Sequence, residues 1–176
     1  TVAINATTTL GANFSTVVVG DGNANFSGST NLNVDNHITG RSCADGGDAV
    51  NYSVTALTAN TAILASAPSS GCLAINDEVF LISLQGTPSN YTNVGNHELL
   101  HVQALSGNIL TFTTAKTKFY GDAFGNDNNL GVNASNQKVM LQRVPNYASL
   151  MLGSGSTLTV NAWNGVKNGV LMLRVL

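Results

Sequence analysis

The sequence predicts an all-β fold, a sandwich or barrel of the jelly-roll type, in which many short strands follow an N-terminal strand-like extension. Two observations lead to this prediction. Apolar and polar residues alternate within the hydrophobic runs, which is the period of a strand with one buried face. The runs are also short, and glycine, proline and asparagine separate them at the spacing of a sandwich or barrel. A chain of 176 residues can form one such domain and an extension.

The N-terminal segment, residues 1–34, is rich in Thr, Val and Asn with glycines between them, which favours short strands and turns. We predict that it extends from a single domain formed by residues 35–176. An exposed sheet edge recruits strands, so the segment could act as a donor strand that completes a neighbouring subunit's sheet through Val17, Val18 and Val19. The alternative is that it pairs within its own subunit.

The domain begins with an alternating run from Val50, VNYSVTALTANTAILASA, which predicts a hairpin around a Thr-Ala-Asn turn. A largely apolar strand, DEVFLISLQG, follows from Asp77. Two further strands, LLHVQAL and NILTFTTAK, are joined by a Ser-Gly-Asn turn. Residues 121–136 form a long polar loop, and four short runs complete the domain: KVMLQRV, ASLML, STLTV and GVLMLRVL.

Residues 97–101 read HELLH, a pattern that on a helix can hold zinc between His97 and His101 while Glu98 activates a water molecule. The surrounding alternation favours a strand instead, in which Glu98 points away from the face that carries both histidines. A third ligand is also missing, since the remaining histidine is His37 and no glutamate follows Glu98. We therefore interpret the motif as coincidental and predict that the protein is not an enzyme.

Charged residues make up 9% of the chain, against about 25% in an average soluble domain. With 23 Asn, 18 Thr, 15 Ser and 18 Gly, the surface is expected to consist of amides and hydroxyls. The basic residues are scattered, so phosphate neutralisation and nucleic-acid binding are not predicted. No apolar window reaches the length of a membrane-spanning helix. This composition is typical of extracellular or cell-surface proteins.

Cys43 and Cys72 have 28 residues between them, and a disulfide closing this loop would contribute roughly 3 to 4 kcal/mol. The alternative is two buried thiols in a cytosolic protein, and the extracellular composition favours the disulfide. Six asparagines also begin N-x-S/T sequons, a number close to the chance expectation. They are candidate glycosylation sites: Asn5, Asn13, Asn25, Asn51, Asn90 and Asn133.

Three loops combine Asp, Asn and Gly and offer the oxygen ligands that Ca²⁺ prefers. The first, DGNAN, has the 1, 3, 5 spacing of a calcium loop but places Phe26 where the glycine should be. The same residue types are expected in ordinary turns, which is the alternative for all three loops. No other cofactor is predicted. The candidate Ca²⁺ ligands are Asp21, Asn23, Asn25, Asp45, Asp48 and Asp127.

Six segments follow one another in the order SCADGGDAVNYSV, INDEVFLISLQG, NVGNHELL, TFTTAKTKFYG, VMLQRVPNYASL and LTVNAWNGVKNGVLMLRV. Together they resemble a module of large secreted bacterial surface proteins, over roughly residues 30 to 176. There the module often stands ahead of a glycine-rich or β-solenoid region, and related proteins often continue into further β-coils beyond the position of Leu176. Similar sequences usually carry other residues at the two histidines of NHELLH. The resemblance implies a secreted surface protein and no defined activity.

We predict an extracellular structural protein that self-associates into a homopolymer as a subunit of a surface filament, fibre or layer. The low charge, the amide-rich surface and the strand-like N-terminal segment favour this function. The alternative is an adhesin or carbohydrate-binding module of a larger secreted surface protein, which binds a glycan through polar loops and an exposed aromatic. The aromatic candidates are Trp163, Tyr147, Tyr91 and Phe124, which we interpret first as core residues.

Overall fold

A computed structural model describes the backbone of residues 21–26 and the whole of residues 31–175, together with the side chain of Asp21. The regular structure in these residues is β, so the predicted fold class is confirmed. Within the same residues, no helix has the length and apolar character needed to cross a membrane. The strands are β1 (Gly22–Phe26), β2 (Asn31–Asn33), β3 (Asn51–Leu57), β4 (Thr61–Leu64), β5 (Glu78–Gln85), β6 (His97–Ser106), β7 (Ile109–Phe112), β8 (Lys138–Arg143), β9 (Asn146–Leu152), β10 (Thr157–Thr159) and β11 (Arg174–Val175).

Strands β3 to β8 close into an antiparallel barrel in the order β3-β4-β7-β6-β5-β8, and β8 returns to pair with β3. Every strand of the barrel therefore has a neighbour on both sides. Alternate side chains point inwards, as Leu100 and Val102 do along β6. The interior is filled by buried apolar residues, among them Tyr52, Val54, Leu64, Leu81, Leu110, Phe112, Val139 and Leu141.

The turns of the barrel follow the local chemistry of the sequence. Thr58 and Thr61 close the β3–β4 hairpin with a backbone hydrogen bond of 3.0 Å, across the predicted Thr-Ala-Asn turn. Gly107 adopts φ +58° between β6 and β7, a conformation that glycine accepts without a steric penalty. Both predicted connections are confirmed, because each depends on residues close in sequence.

A second part of the fold, which we call the parallel stack, consists of β1, β2, β9, β10 and β11. Strand β9 lies between β1 and β11, β2 pairs with β10, and all these pairs are parallel. The pairs Asn23–Ser149 and Asn33–Thr159 both join residues 126 positions apart. The two sheets therefore share the same pairing offset, as expected if their strands belong to successive layers of one stack.

The barrel is inserted between the first two layers of the parallel stack. The first layer contains β1 and β2, the second contains β9 and β10, and the chain between them forms the barrel. A small core joins the layers, in which Leu32, Val34 and Ala49 are buried and Leu158 and Val160 pack against them. A third layer begins with β11, whose first residue pairs with a residue 28 positions earlier in β9.

The N-terminal segment that we considered as a donor strand pairs within its own subunit, as far as it is described. Gly22–Phe26 and Asn31–Asn33 form β1 and β2 of the parallel stack and pair with β9 and β10 of the same chain. The alternative of pairing within its own subunit is therefore the one observed for these two strands. Val17, Val18 and Val19 lie outside the described residues.

The last apolar run, residues 169–176, is predicted to be a strand, but most of its described residues are not in one. Only Arg174–Val175 is a strand, and the preceding residues follow the outside of the barrel. The side-chain nitrogen of Gln142 donates to the backbone oxygen of Val170 over 3.3 Å, and the amide of Asn168 donates to the sulfur of Met140 over 3.1 Å. Side-chain contacts thus replace a strand ladder here.

Candidate functional site

The chain has sixteen charged residues, seven basic and nine acidic, and half of them are buried. Burying an unpaired charge costs desolvation free energy, so the partners of buried charges show where polar interactions matter most to the fold. Six of the eight lie where the barrel meets the parallel stack, and we call this region the polar junction. The eight residues are Asp21, Asp35, Asp48, Asp77, Glu78, Lys116, Lys138 and Arg143, and all except the two lysines belong to the polar junction.

Arg143, the last residue of β8, is at the centre of the polar junction. Its guanidinium forms an ion pair with Asp21, which precedes β1, and lies 3.7 Å from the carboxylate of Asp77, which precedes β5. It also donates to the backbone oxygen of Asp48 over 2.9 Å. Arg41 supplies a second partner for Asp77 at 2.6 Å. Burial lowers the pKa of Arg143 to about 10, so the side chain remains charged at neutral pH.

Two further contacts bind the later layers of the stack to the barrel side. The hydroxyl of Tyr147, in β9, donates to Asp48 over 2.9 Å. Burial, followed by the charge of that carboxylate, raises the pKa of Tyr147, so the hydroxyl keeps its proton. Arg174, in β11, donates two hydrogen bonds of 2.5 and 2.6 Å to Glu78 at the start of β5. Each layer of the stack therefore contacts the barrel through a charged partner.

Asparagines complete the polar junction around Asp35. The carboxylate of Asp35 accepts hydrogen bonds from the backbone of Asn161 at 2.7 Å and from the side chain of Asn51 at 2.9 Å. The side-chain oxygen of Asn161 in turn accepts from Asn33 and Asn36, at 2.9 Å each. Burial raises the pKa of Asp35 despite these hydrogen bonds. Part of the unusual asparagine content is thus used to link the layers.

One edge of β9 is paired over only part of its length by the described strands, and we call this edge the open end. Strand β11 pairs only with Asn146 and Tyr147, and from Leu150 to Leu152 β9 pairs with β1 alone among the described strands. Two apolar side chains of this stretch of β9 are exposed, Met151 by 61% and Leu152 by 41%, and we call them the open-end residues.

HELLH lies in β6, so the strand predicted there is confirmed. His97 and His101 are exposed, while Glu98 is half-buried and accepts hydrogen bonds from Thr117 at 2.7 Å and from the hydroxyl of Tyr120 at 3.0 Å. Burial raises the pKa of Glu98, but these hydrogen bonds outweigh it and the net pKa is lowered. Glu98 thus anchors the segment after β7. In the part of the chain that is described, no three His, Cys, Asp or Glu side chains are grouped to hold a metal ion.

The predicted disulfide between Cys43 and Cys72 is formed, and both residues belong to the core of the barrel. It connects the segment that leaves the first layer of the stack to the segment that precedes β5. Disulfides of this kind persist in oxidising compartments. The bond is therefore compatible with a secreted protein.

The acidic residues considered as Ca²⁺ ligands are held by donors from the protein. Asp45 accepts from the hydroxyl of Tyr52 at 2.7 Å and from Ser69 at 2.6 and 2.7 Å. Burial raises the pKa of Asp45, while these hydrogen bonds lower it, and the net pKa is lowered. Asp127 forms an ion pair of 2.5 Å with Lys116. Asp21 and Asp48 belong to the polar junction, and the side chains of Asn23 and Asn25 lie outside the described part of the molecule.

The sequons and the aromatic candidates differ in accessibility. Asn51 is buried and its side chain donates to Asp35, so a glycan cannot be attached there in the folded protein. Asn133 is exposed and Asn90 is half-buried, whereas the side chains of the other three sequon asparagines, Asn5, Asn13 and Asn25, are outside the described set. Tyr147 is fully buried, as a core residue should be. The core interpretation is wrong for Tyr91 and Phe124, which lie on loops and are 74% and 92% exposed.

Sequence reasoning missed the polar junction and the open end. The signal for the first was the low charge content, because each of the few charged residues in such a chain must have a specific reason to be present. Arg143 looked like one scattered basic residue, and its acidic partners are remote in sequence. No local sequence pattern indicated the open end, since the exposure of an apolar side chain depends on whether a neighbouring layer covers it.

Comparison with protein-family models and with characterised proteins gave no match to this sequence. Among solved structures, the chain is similar to the tailspike gp61 of the Pseudomonas phage phi297, with 15% sequence identity and a TM-score of 0.32. The similarity covers 79% of this chain and 26% of the tailspike chain. At this TM-score, the similarity supports no conclusion about function.

Proposed function

We propose that the protein is a non-enzymatic extracellular structural protein, a subunit of a surface filament, fibre or layer. The parallel stack is the part that assembles, and the barrel is carried beside it as an inserted domain. One observation carries this proposal: segments 126 residues apart pair in parallel and in the same register, so the strands of the stack form successive layers that a further strand can continue.

The physical basis is the way in which parallel layers add to one another. The edge strand of a layer has unpaired backbone N–H and C=O groups. A further strand can pair with these groups in the register that the earlier layers already share. Full burial of an exposed apolar side chain contributes about 1.5 to 3 kcal/mol. The open-end residues Met151 and Leu152 therefore favour a covered state of this edge.

A second copy of the chain fits this surface through its first layer. Strand β1 already pairs in parallel with β9 inside one subunit, and parallel contacts between subunits would keep the same direction. A head-to-tail contact of this kind does not close on itself and produces a linear polymer. This assembly differs from strand donation by residues 1–34, because β1 and β2 are already used within their own subunit.

Three other features support a non-enzymatic extracellular role. The disulfide is compatible with secretion. Half of the charged residues are buried, so the polar groups of the surface are mainly amides and hydroxyls. Glu98 of HELLH, the residue that would activate water in a zinc protease, is instead engaged by Thr117 and Tyr120.

The test compares particle size for the intact chain and two charge variants, by light scattering and electron microscopy over a range of protein concentrations. The double variant Met151→Lys/Leu152→Lys places charges at the open end, and Ile109→Lys is the matched control on the barrel, where Ile109 is 44% exposed. We expect linear polymers for the intact chain and the control, and monomers for the double variant. An intact chain that stays monomeric, or a double variant that still polymerises, would contradict the proposal.

A further inference from the structure

A cleft opens at the loop end of the barrel, between the connection from β5 to β6 and the connection from β7 to β8. Its volume is about 490 Å³, which is within the range of small-molecule sites. It is unrelated to the strand edges of the parallel stack. The lining residues are Thr87, Pro88, Ser89, Asn90, Asp122, Asn129 and Ser135.

Hydrogen bonds hold both walls of the cleft in place. On one wall, Thr87 and Asn90 form reciprocal backbone hydrogen bonds of 2.9 and 3.2 Å, and the side chain of Gln137 donates to the backbone oxygen of Asn90 over 3.1 Å. On the other wall, the side chain of Asn129 donates to the backbone oxygen of Ser135 over 3.1 Å. A ligand would therefore meet polar groups that are already ordered, which lowers the entropic cost of binding.

The lining offers hydroxyls, amides and one carboxylate, and it includes no basic residue. Asp122 accepts one hydrogen bond, of 3.3 Å, from Asn126 to its Oδ1 atom, and its Oδ2 atom has no donor among the described residues. A carboxylate with a free oxygen is a strong acceptor for the hydroxyls of a ligand. The same charge repels an anionic ligand. The lining therefore suits a neutral molecule with many hydroxyls.

Two exposed aromatic residues are close in sequence to the lining residues of the cleft. Tyr91 follows the lining residue Asn90 and is 74% exposed, and Phe124 lies two residues after Asp122 and is 92% exposed. Rings of this size are normally buried, and exposed ones often mark interaction sites. A flat ring can pack against the apolar face of a sugar while polar groups bind its hydroxyls.

We propose that this cleft binds a neutral oligosaccharide. Asp122 accepts hydrogen bonds from sugar hydroxyls, the amides and hydroxyls of the lining complete the polar contacts, and Tyr91 and Phe124 pack against sugar rings at the cleft entrance. This inference goes beyond the proposed structural role, since the cleft is on the barrel and needs no contact between subunits.

The experiment probes the intact chain with an array of neutral and acidic oligosaccharides and measures the affinity of each ligand by calorimetry. We expect a neutral oligosaccharide to bind, with an affinity at least about tenfold weaker in Asp122→Ala and Phe124→Ala, which corresponds to about 1.4 kcal/mol. Tyr91→Ala should weaken binding in the same way. Phe124 is almost fully exposed, so its substitution leaves the fold intact.

Two control variants test whether the oligosaccharide binds in this cleft. Trp163→Ala removes a partly exposed aromatic outside the cleft and should leave the affinity unchanged. The open-end variant Met151→Lys/Leu152→Lys should also bind normally, because binding does not depend on assembly. The proposal is overturned if no neutral oligosaccharide binds, if only acidic ones bind, or if Trp163→Ala alone abolishes binding.

Discussion

The barrel pairs each of its six strands on both sides, whereas β1, β2, β10 and β11 of the parallel stack have one neighbour each among the described strands. The two parts also differ in the size of their hydrophobic cores. The barrel buries a cluster of eighteen residues, and the described side chains of the stack bury a cluster of three. A closed sheet with a large core can be stable alone, while a few short parallel strands depend on what covers them. We therefore expect the barrel to be the more stable unit and the stack to depend more on its surroundings.

The polar junction is the place where the stable unit supports the dependent one. Arg143 of the barrel pairs with Asp21 at the start of the stack, and Tyr147 and Arg174 of the stack contact the carboxylates of Asp48 and Glu78 on the barrel side. Such contacts fix geometry more than they add free energy, because desolvation offsets much of the attraction between buried charges. Removing one partner, however, leaves the other charge buried and unpaired. Single substitutions should therefore change the stability of the stack relative to that of the barrel.

The largest expected effect comes from Arg143→Leu, which leaves the carboxylates of Asp21 and Asp77 without their central partner. We expect a loss of about 3 to 5 kcal/mol in the free energy of unfolding. The single tryptophan, Trp163, follows β10 and is two residues after Asn161 of the polar junction, so its fluorescence should report on this region, while circular dichroism follows the barrel strands. In urea, the Trp163 transition should move ahead of the barrel transition.

The matched control for this variant is Arg41→Leu, since Arg41 also binds Asp77 but, among the described residues, forms no hydrogen bond or ion pair with a strand of the stack. We expect a smaller loss and two transitions that still coincide. If Arg143→Leu loses less than about 1 kcal/mol with coincident transitions, the polar junction does not couple the two parts.

The next largest effect concerns the barrel alone. Cys43→Ser/Cys72→Ser removes the disulfide and should lower the free energy of unfolding by roughly 3 to 4 kcal/mol, because the unfolded chain regains the entropy of an open loop. Reduction of the intact protein should give a similar loss. Urea unfolding at matched pH measures both. A change below about 1 kcal/mol in the double variant would show that the barrel core does not need the cross-link.

Glu98→Gln should lower the free energy of unfolding at neutral pH by about 1.5 to 3 kcal/mol, because a charged acceptor for Thr117 and Tyr120 is lost. The pKa of Glu98 is lowered from its ordinary 4.5, so its stabilisation is complete above about pH 4.5 and declines as the pH falls below it. Unfolding measured between pH 7 and pH 3 should therefore show a steeper loss for the intact protein than for the variant. Equal slopes would rule out this role.

Asp35, in the stack, should show the opposite dependence with the smallest amplitude. Its pKa is raised above the ordinary 3.8 by burial, so its contribution is complete below about pH 3.8 and is lost as the pH rises through the folded-state pKa. Relative to Asp35→Asn, the intact stack should gain stability on acidification, as measured by Trp163 fluorescence during urea unfolding. A gain with rising pH would contradict the assignment. Lys167 is the nearby charge that opposes the shift.

Much of the barrel could be predicted from the sequence because its signals are local. The alternation after Val50 and the Thr-Ala-Asn turn predicted the β3–β4 hairpin, and the turn at Gly107 predicted the pair β6–β7. The same alternation placed HELLH in a strand. The run ending at Val175 was predicted less well, because its apolar residues contact the outside of the barrel, where side chains take the place of ladder partners.

The amino-acid sequence by itself determined the strands, the tight turns and the chemistry available for a disulfide, since these depend on neighbouring residues and on composition. Only the tertiary structure decided that segments 126 residues apart pair in parallel, because no local pattern reports a partner so distant. It also decided which charges are buried. Arg143 and Asp122 look alike in the sequence as isolated polar residues, and folding makes one the centre of a polar junction and the other the wall of an open cleft.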